Sequence, residues 1–213
     1  MEIINVNNVK IYNLSHGRSV PEWLSESKRR KLLKKEPSLR RNIQLIQDFE
    51  MPQVCDNIRL SNDGQYIFVT GVYKPRVRCY DTSNLSLKFE RCFDSEVVKF
   101  DILSDDYTKL VFLFCDRYVE FHSQAGRYFR IRIPKFGRDL AYLKPTCDLF
   151  FVGNTPDILR LNLEKGQFLS PYQGESSCFN VCKINPYHQL IVCGSADGRV
   201  EAWDYRDRSR VGV

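Results

Sequence analysis

No apolar run in this sequence approaches the roughly 20 residues that a membrane-spanning helix requires. The amino terminus, Met-Glu-Ile-Ile-Asn-Val-Asn, lacks the basic start and apolar stretch of a secretory leader. Together these absences point to a soluble, unsecreted protein without a membrane partner. Metal chemistry is equally short of material. The eight cysteines, at 55, 79, 92, 115, 147, 178, 182 and 193, contain no Cys-x-x-Cys pair, and no His stands at ligand spacing beside Cys178 and Cys182. Most of them fall in apolar runs, where a reduced thiol packs as a small hydrophobe. Enzyme signatures are missing too. There is no phosphate-binding loop ending in Gly-Lys-Ser/Thr, no dinucleotide fingerprint, no Gly-x-Ser-x-Gly and no His-Glu-x-x-His. The three histidines, His16, His122 and His188, are scattered, and the acidic neighbours Asp105 and Asp106, or Asp48 and Glu50, read as turn residues. The expectation is a non-enzyme with no catalytic residue, no metal, no cofactor and no small-molecule substrate.

What is present is aromatic and β-branched. Of 213 residues, 43% are hydrophobic and 13% aromatic, enough for a substantial core with a bias toward strands. The clearest unit is Cys193-Gly-Ser-Ala-Asp-Gly-Arg-Val-Glu-Ala-Trp-Asp204, an apolar strand, an Asp-Gly turn and a strand ending in Trp-Asp. Earlier copies are more eroded: Asn62-Asp-Gly64 before Gln65 to Val72 and Arg76 to Asp81; Lys109 to Phe114 before Arg117 to His122; Leu149 to Val152 before Ile158 to Asn162. Aligning Tyr80-Asp81, Phe121-His122, Leu161-Asn162 and Trp203-Asp204 gives spacings of 41, 40 and 42 residues, inside the roughly 40 to 45 of WD-type propeller blades. In that register His122 takes the place of Asp or Asn, a turn-bonding position.

The expected fold is therefore all-β, a WD40-type β-propeller of about four blades and an N-terminal strand, an incomplete part of a larger ring. Residues 1–15 read as one lone strand, Val9 to Leu14, able to act as a ring-closing clasp; residues 16–52 read as a basic helical insertion; 53–213 hold the blades, at about 53–92, 93–134, 135–172 and 173–213. In the insertion, Ser25 is placed to cap a helix that Pro37 ends, and Ser38 to cap a second helix carrying Leu39, Ile43 and Ile46.

The net charge of +6 is concentrated in that insertion, where Lys28, Arg29, Arg30, Lys31, Lys34, Lys35, Arg40 and Arg41 face Glu36 alone. Cations at this density can release counterions from a phosphate backbone, which makes them the candidate RNA-binding residues; a solvated face or a nuclear localisation signal uses the same composition. A second basic region, Arg127 to Arg138, interleaves aromatics with cations, though its alternation is that of an outer strand.

Longer words carry a more specific likeness. Ser19-Val-Pro-Glu-Trp-Leu24, Ile43-Gln-Leu-Ile-Gln-Asp-Phe-Glu50, Tyr73-Lys-Pro-Arg-Val-Arg-Cys-Tyr-Asp81, Leu85-Ser-Leu-Lys-Phe-Glu-Arg91, Ile102-Leu-Ser-Asp-Asp-Tyr107 and Ile133-Pro-Lys-Phe-Gly-Arg-Asp139 resemble the amino-terminal half of the nucleolar protein 10 family, essential nuclear protein 2 in yeast. The resemblance implies a WD-repeat assembly factor of the nucleolar small-subunit processome, acting in ribosome biogenesis and 18S rRNA maturation as a non-catalytic scaffold. It further implies a nuclear and nucleolar location, other processome proteins as partners, and pre-rRNA within reach. A WD-repeat peptide-binding adaptor unrelated to ribosome assembly is the alternative.

Overall fold

A computed structural model describes residues 2–6, 9–14, 24–40, 44–46, 51, 53–84 and 86–212. Four antiparallel meanders of four strands follow one another. The first blade holds β4 (Cys55–Leu60), β5 (Tyr66–Gly71), β6 (Arg76–Asp81) and β7 (Ser86–Cys92). The second holds β8 (Val97–Ile102), β9 (Leu110–Phe114), β10 (Tyr118–Ser123) and β11 (Gly126–Arg132). The third runs through β12 (Gly137–Leu143), β13 (Asp148–Gly153), β14 (Thr155–Asn162) and β15 (Gln167–Gln173), the fourth through β16 (Phe179–Ile184), β17 (Ile191–Ser195), β18 (Val200–Trp203) and β19 (Arg210–Gly212). First strands lie beside first strands, β4 by β8, β8 by β12 and β12 by β16. That is the arrangement of blades around an axis, each first strand innermost.

Apolar residues on both faces of each blade make this stacking favourable. Phe68 and Cys79 of the first blade meet Phe100 and Phe112 of the second; Val111 and Leu113 meet Leu149, Phe151 and Leu161; Phe150 and Tyr172 meet Phe179 and Trp203. Each fully buried Phe contributes on the order of 1.5–3 kcal/mol. Polar ties join the innermost strands. Arg59 reaches Asp101 at 2.7 Å and Lys99 reaches Asn57 at 2.7 Å. Arg138 donates to Asn180, and the amide of Cys182 donates to buried Asp139 at 3.0 Å.

Strand pairing corrects the repeat alignment in one blade. Ile67 pairs with Tyr80, Leu110 with His122, Leu149 with Leu161 and Ile191 with Trp203. The equivalent residues are Tyr80, His122, Leu161 and Trp203, so the second blade is one residue out of the sequence alignment. The turn position falls on Asp81, Ser123, Asn162 and Asp204, and three of these accept a backbone amide: Asp81 from Ser83, Asn162 from Lys165 and Asp204 from Arg206. His122 is consequently a core residue and not the turn-bonding group expected.

Before the blades the strand expectation was too spare. Val9 to Leu14 does not stand alone: β1 (Glu2–Val6) forms a hairpin with β2 (Val9–Asn13), and β3 (Gln44–Ile46) pairs on the other side of β2. Ile46 thus belongs to a strand, where helical spacing had placed it on a second helix. Ile43 lies outside the described residues. Between β2 and β3 stand α1 (Glu26–Lys35) and a single turn, α2 (Pro37–Arg40). Ser25 holds the N-cap position of α1 but makes no side-chain capping bond. Glu36 is extended, as the residue before proline favours, and Pro37 opens α2, as its missing N–H allows.

Candidate nucleic-acid interface

The helix α1 presents its lysines on one side. Lys28, Lys31, Lys34 and Lys35 are exposed, whereas Arg29, Leu32 and Leu33 are half-buried. At 3.6 residues per turn the four lysines fall within an arc of about 120°. Lys34 and Lys35 also occupy the last turn, where positive charge complements the helix dipole. Among the described residues none of the four lysines forms an ion pair, so their charge is available to an anion. The backbones of Arg30 and Arg40 belong to α1 and α2, but their side chains lie outside the described residues, as does Arg41 altogether.

The second basic region behaves differently. On β11, Arg127 and Arg130 stand 3.5 and 3.4 Å from Glu120, and Arg130 is 3.3 Å from Asp116. Glu120 is buried, and opposite Arg130 in the cross-strand register. These arginines neutralise the blade's own carboxylates. Arg130 also lies over the Tyr118 ring at 3.9 Å. Arg132, Lys135 and Arg138 of the same region are exposed, and between them stand the outward aromatics Tyr128, Phe129 and Phe136.

His122 sits in the same network. Its Nδ1 is 3.4 Å from an Arg91 nitrogen, which can only donate, so Nε2 carries the proton and donates to Glu120 at 3.1 Å. Phe112 and Phe93 pack edge-on at 4.9 and 5.5 Å. Burial pushes the imidazole below its ordinary range, against the pull of Glu120. The group is a neutral linker between the first and second blades. The cysteine expectation needs revision as well: only Cys79, Cys182 and Cys193 are buried, while Cys55, Cys92 and Cys115 are exposed. Burial drives the Cys79 thiol up to about 12, which keeps it protonated and unreactive.

One feature escaped the sequence. A groove of about 800 Å³ opens between the second and third blades, lined by Leu103, Phe121, Phe129, Tyr142, Leu161 and Leu163 among others. Between the first two blades the matching loop supplies Tyr107, whose ring meets Tyr66 at 4.8 Å. In the third blade that loop is the tight turn Lys144–Thr146 followed by Cys147 in a left-handed conformation, and no ring fills the space. The signal was a missing aromatic between Leu143 and Leu149, legible only once the blades are superimposed.

Successive four-stranded blades around an axis, with a lysine-faced helix set into the segment before them, define a β-propeller that carries a cationic arm. The chain belongs to the nucleolar protein 10-like family, whose N-terminal domain model matches residues 2–213. It is 64% identical over all of its length to Nucleolar protein 10 of Xenopus laevis, of which it covers 31%. It is 61% identical over its full length to Nucleolar protein 10 of Homo sapiens, again covering 31%. Against the Ribosome biogenesis protein ENP2 of Saccharomyces cerevisiae it is 44% identical over 97% of its length, covering 30% of that protein. The chain thus spans about a third of these relatives.

Proposed function

We propose that this propeller is a non-catalytic scaffold of ribosome biogenesis, working in the nucleolus within the small-subunit processome during 18S rRNA maturation. Its blades hold other assembly proteins, and its α1 arm contacts pre-rRNA. The names of the relatives support the setting, and the observation that carries the RNA contact is the exposed lysine face of α1, without an ion pair among the described residues. Lysines spaced along one helix side neutralise phosphates without reading bases, so the contact is strong at low salt and indifferent to sequence. Arg127 and Arg130 of β11 are assigned no part in it, since their charge is already matched.

Replacing Lys28, Arg29, Arg30 and Lys31 by Ala tests the reading. Crosslinking to ribosomal precursor near residues 28–41 is expected in the parent and lost in the variant. In vitro, the slope of log affinity against log salt should flatten by up to about 3 for single-stranded RNA. Thermal stability should stay nearly constant, because solvated charges contribute little to folding. A collapse in melting temperature, or adducts unchanged by the substitutions, sinks the assignment; adducts unchanged with nuclear import lost would identify the segment as a localisation signal.

A further inference from the structure

Among the described residues the sheet formed by β1, β2 and β3 has three strands where every blade has four, and chain order says which is missing. In each blade the strands run from innermost to outermost, and the outermost leads into the next innermost strand, as β7 leads to β8 and β11 to β12. By the same rule β3, which precedes the innermost strand β4, is an outermost strand. Then β2 is third, β1 is second, and the absent strand is the innermost, with a place along the free edge of β1.

A second observation locates the same gap from the neighbouring blade. Ile58 on β4 is equivalent to Phe100, Leu140 and Cys182, each paired with the same position of the next strand: Val69, Phe112, Phe151 and Cys193. In the later blades these innermost residues pack on the preceding blade and are 0% exposed; Ile58 is 62% exposed. Leu60 is likewise 57% exposed where Ile102 is 8%. Farther out on the same face of the first blade, Val69 and Tyr80 are buried, at 0% and 7%. The face is covered over its second and third strands and open only at its first, where an innermost strand belongs.

We propose that β1 receives, along its free edge, a strand of the same polypeptide from beyond residue 213, which becomes the innermost strand of this sheet and covers Ile58 and Leu60. The occupant is in cis because the ring continues in chain order past the fourth blade. Val200 is 57% exposed at the position where Val77, Val119 and Ile158 are 0%, so further blades belong beyond it. The segment that completes the circuit therefore arrives at β1 last, and relatives about three times as long as this chain have sequence to supply it. Ring closure is then three strands from the amino terminus and one from later sequence, which replaces the single clasp strand expected from Val9 to Leu14.

The test uses the full-length protein with a photoreactive benzoylphenylalanine at Asn5, which is exposed, and peptide mapping of the crosslinks. A single intrachain adduct C-terminal to residue 213 is the expected result. An adduct to another chain, or adducts confined to residues 1–213, overturns the proposal. Independently, I58D with L60D in the full-length protein should lower the melting temperature by roughly 5 °C or more, whereas Y187D, at a position 89% exposed, should leave it in place. Equal melting temperatures for the two variants would mean that Ile58 and Leu60 stay open to water, and the proposal fails.

Discussion

Single residues in this propeller act as inter-blade fasteners, and their titration shows it. His122 is held neutral by burial, below its ordinary range. Below about pH 6.5, the free imidazole value, the unfolded chain gains a proton that the folded chain resists. The stability His122 contributes is thus present above that pH and is lost as pH falls toward the lowered folded value. His122→Gln keeps a donor for Glu120 and an acceptor for Arg91 but does not titrate. Its melting temperature should therefore fall less than the parent's between pH 7.5 and 5.5, as differential scanning fluorimetry would read; parallel curves would argue against a buried neutral His. Asp139 is the second fastener. It is 1% exposed and accepts amides from Leu140 and, across the blade boundary, Cys182. Asp139→Ala leaves the Cys182 amide without its acceptor and is expected to cost about 1–3 kcal/mol in urea unfolding; Asp139→Asn, which retains an acceptor oxygen, should cost less.

At the level of elements, the strands of the blades were legible and the segment before them was not. Blade strands announce themselves by alternation against turn residues such as Asp63-Gly64 and Asp197-Gly198, and Gly64 and Gly198 take the positive φ of +73° and +81° those turns need. The β1 hairpin was missed because Ile3 and Ile4 sit in a run too short for period two to be counted, and its turn carries no glycine. Ile46 misled because a residue at helical distance from Leu39 and Ile43 can equally begin a three-residue strand; tertiary pairing with Ile11 decided it. His122 was misplaced because its strand ends in Phe-His-Ser, with no Asp or Asn to fix the register. As for the candidate site, the cations of α1 could be read from composition, but that Arg127 and Arg130 of β11 are consumed within their own blade could not, since Glu120 and Asp116 come within reach only after folding. The distinction predicts different outcomes for equal charge changes. Arg130→Ala, which deprives a buried carboxylate of its cross-strand partner, should lower stability by about 1–2 kcal/mol without altering RNA affinity. Lys31→Ala should do the reverse, and a gel-shift titration alongside urea unfolding would separate them.

For the molecule as a whole, the interfaces within the sector show what its open faces require. The second and third blades bury an aliphatic or aromatic set on both sides, yet the back of the fourth blade leaves Val200 57% and Val181 48% exposed, with Val192 half-buried beside them. Burying the remaining surface of each of these side chains is worth about 1 kcal/mol, and together they make a contiguous apolar face of the kind that soluble proteins cover. A polypeptide of residues 1–213 is therefore expected to self-associate as its concentration rises, with V181K and V200K together shifting it toward monomer in analytical ultracentrifugation. The charges should cost little stability, because none of the described residues completes the packing there. In a longer protein whose ring continues past the fourth blade the same pair should instead lower the melting temperature, since a lysine would then be forced against the next blade. If the pair leaves the longer protein unaffected and residues 1–213 stay monomeric at every concentration, the back of the fourth blade is a finished surface and the ring does not continue from it.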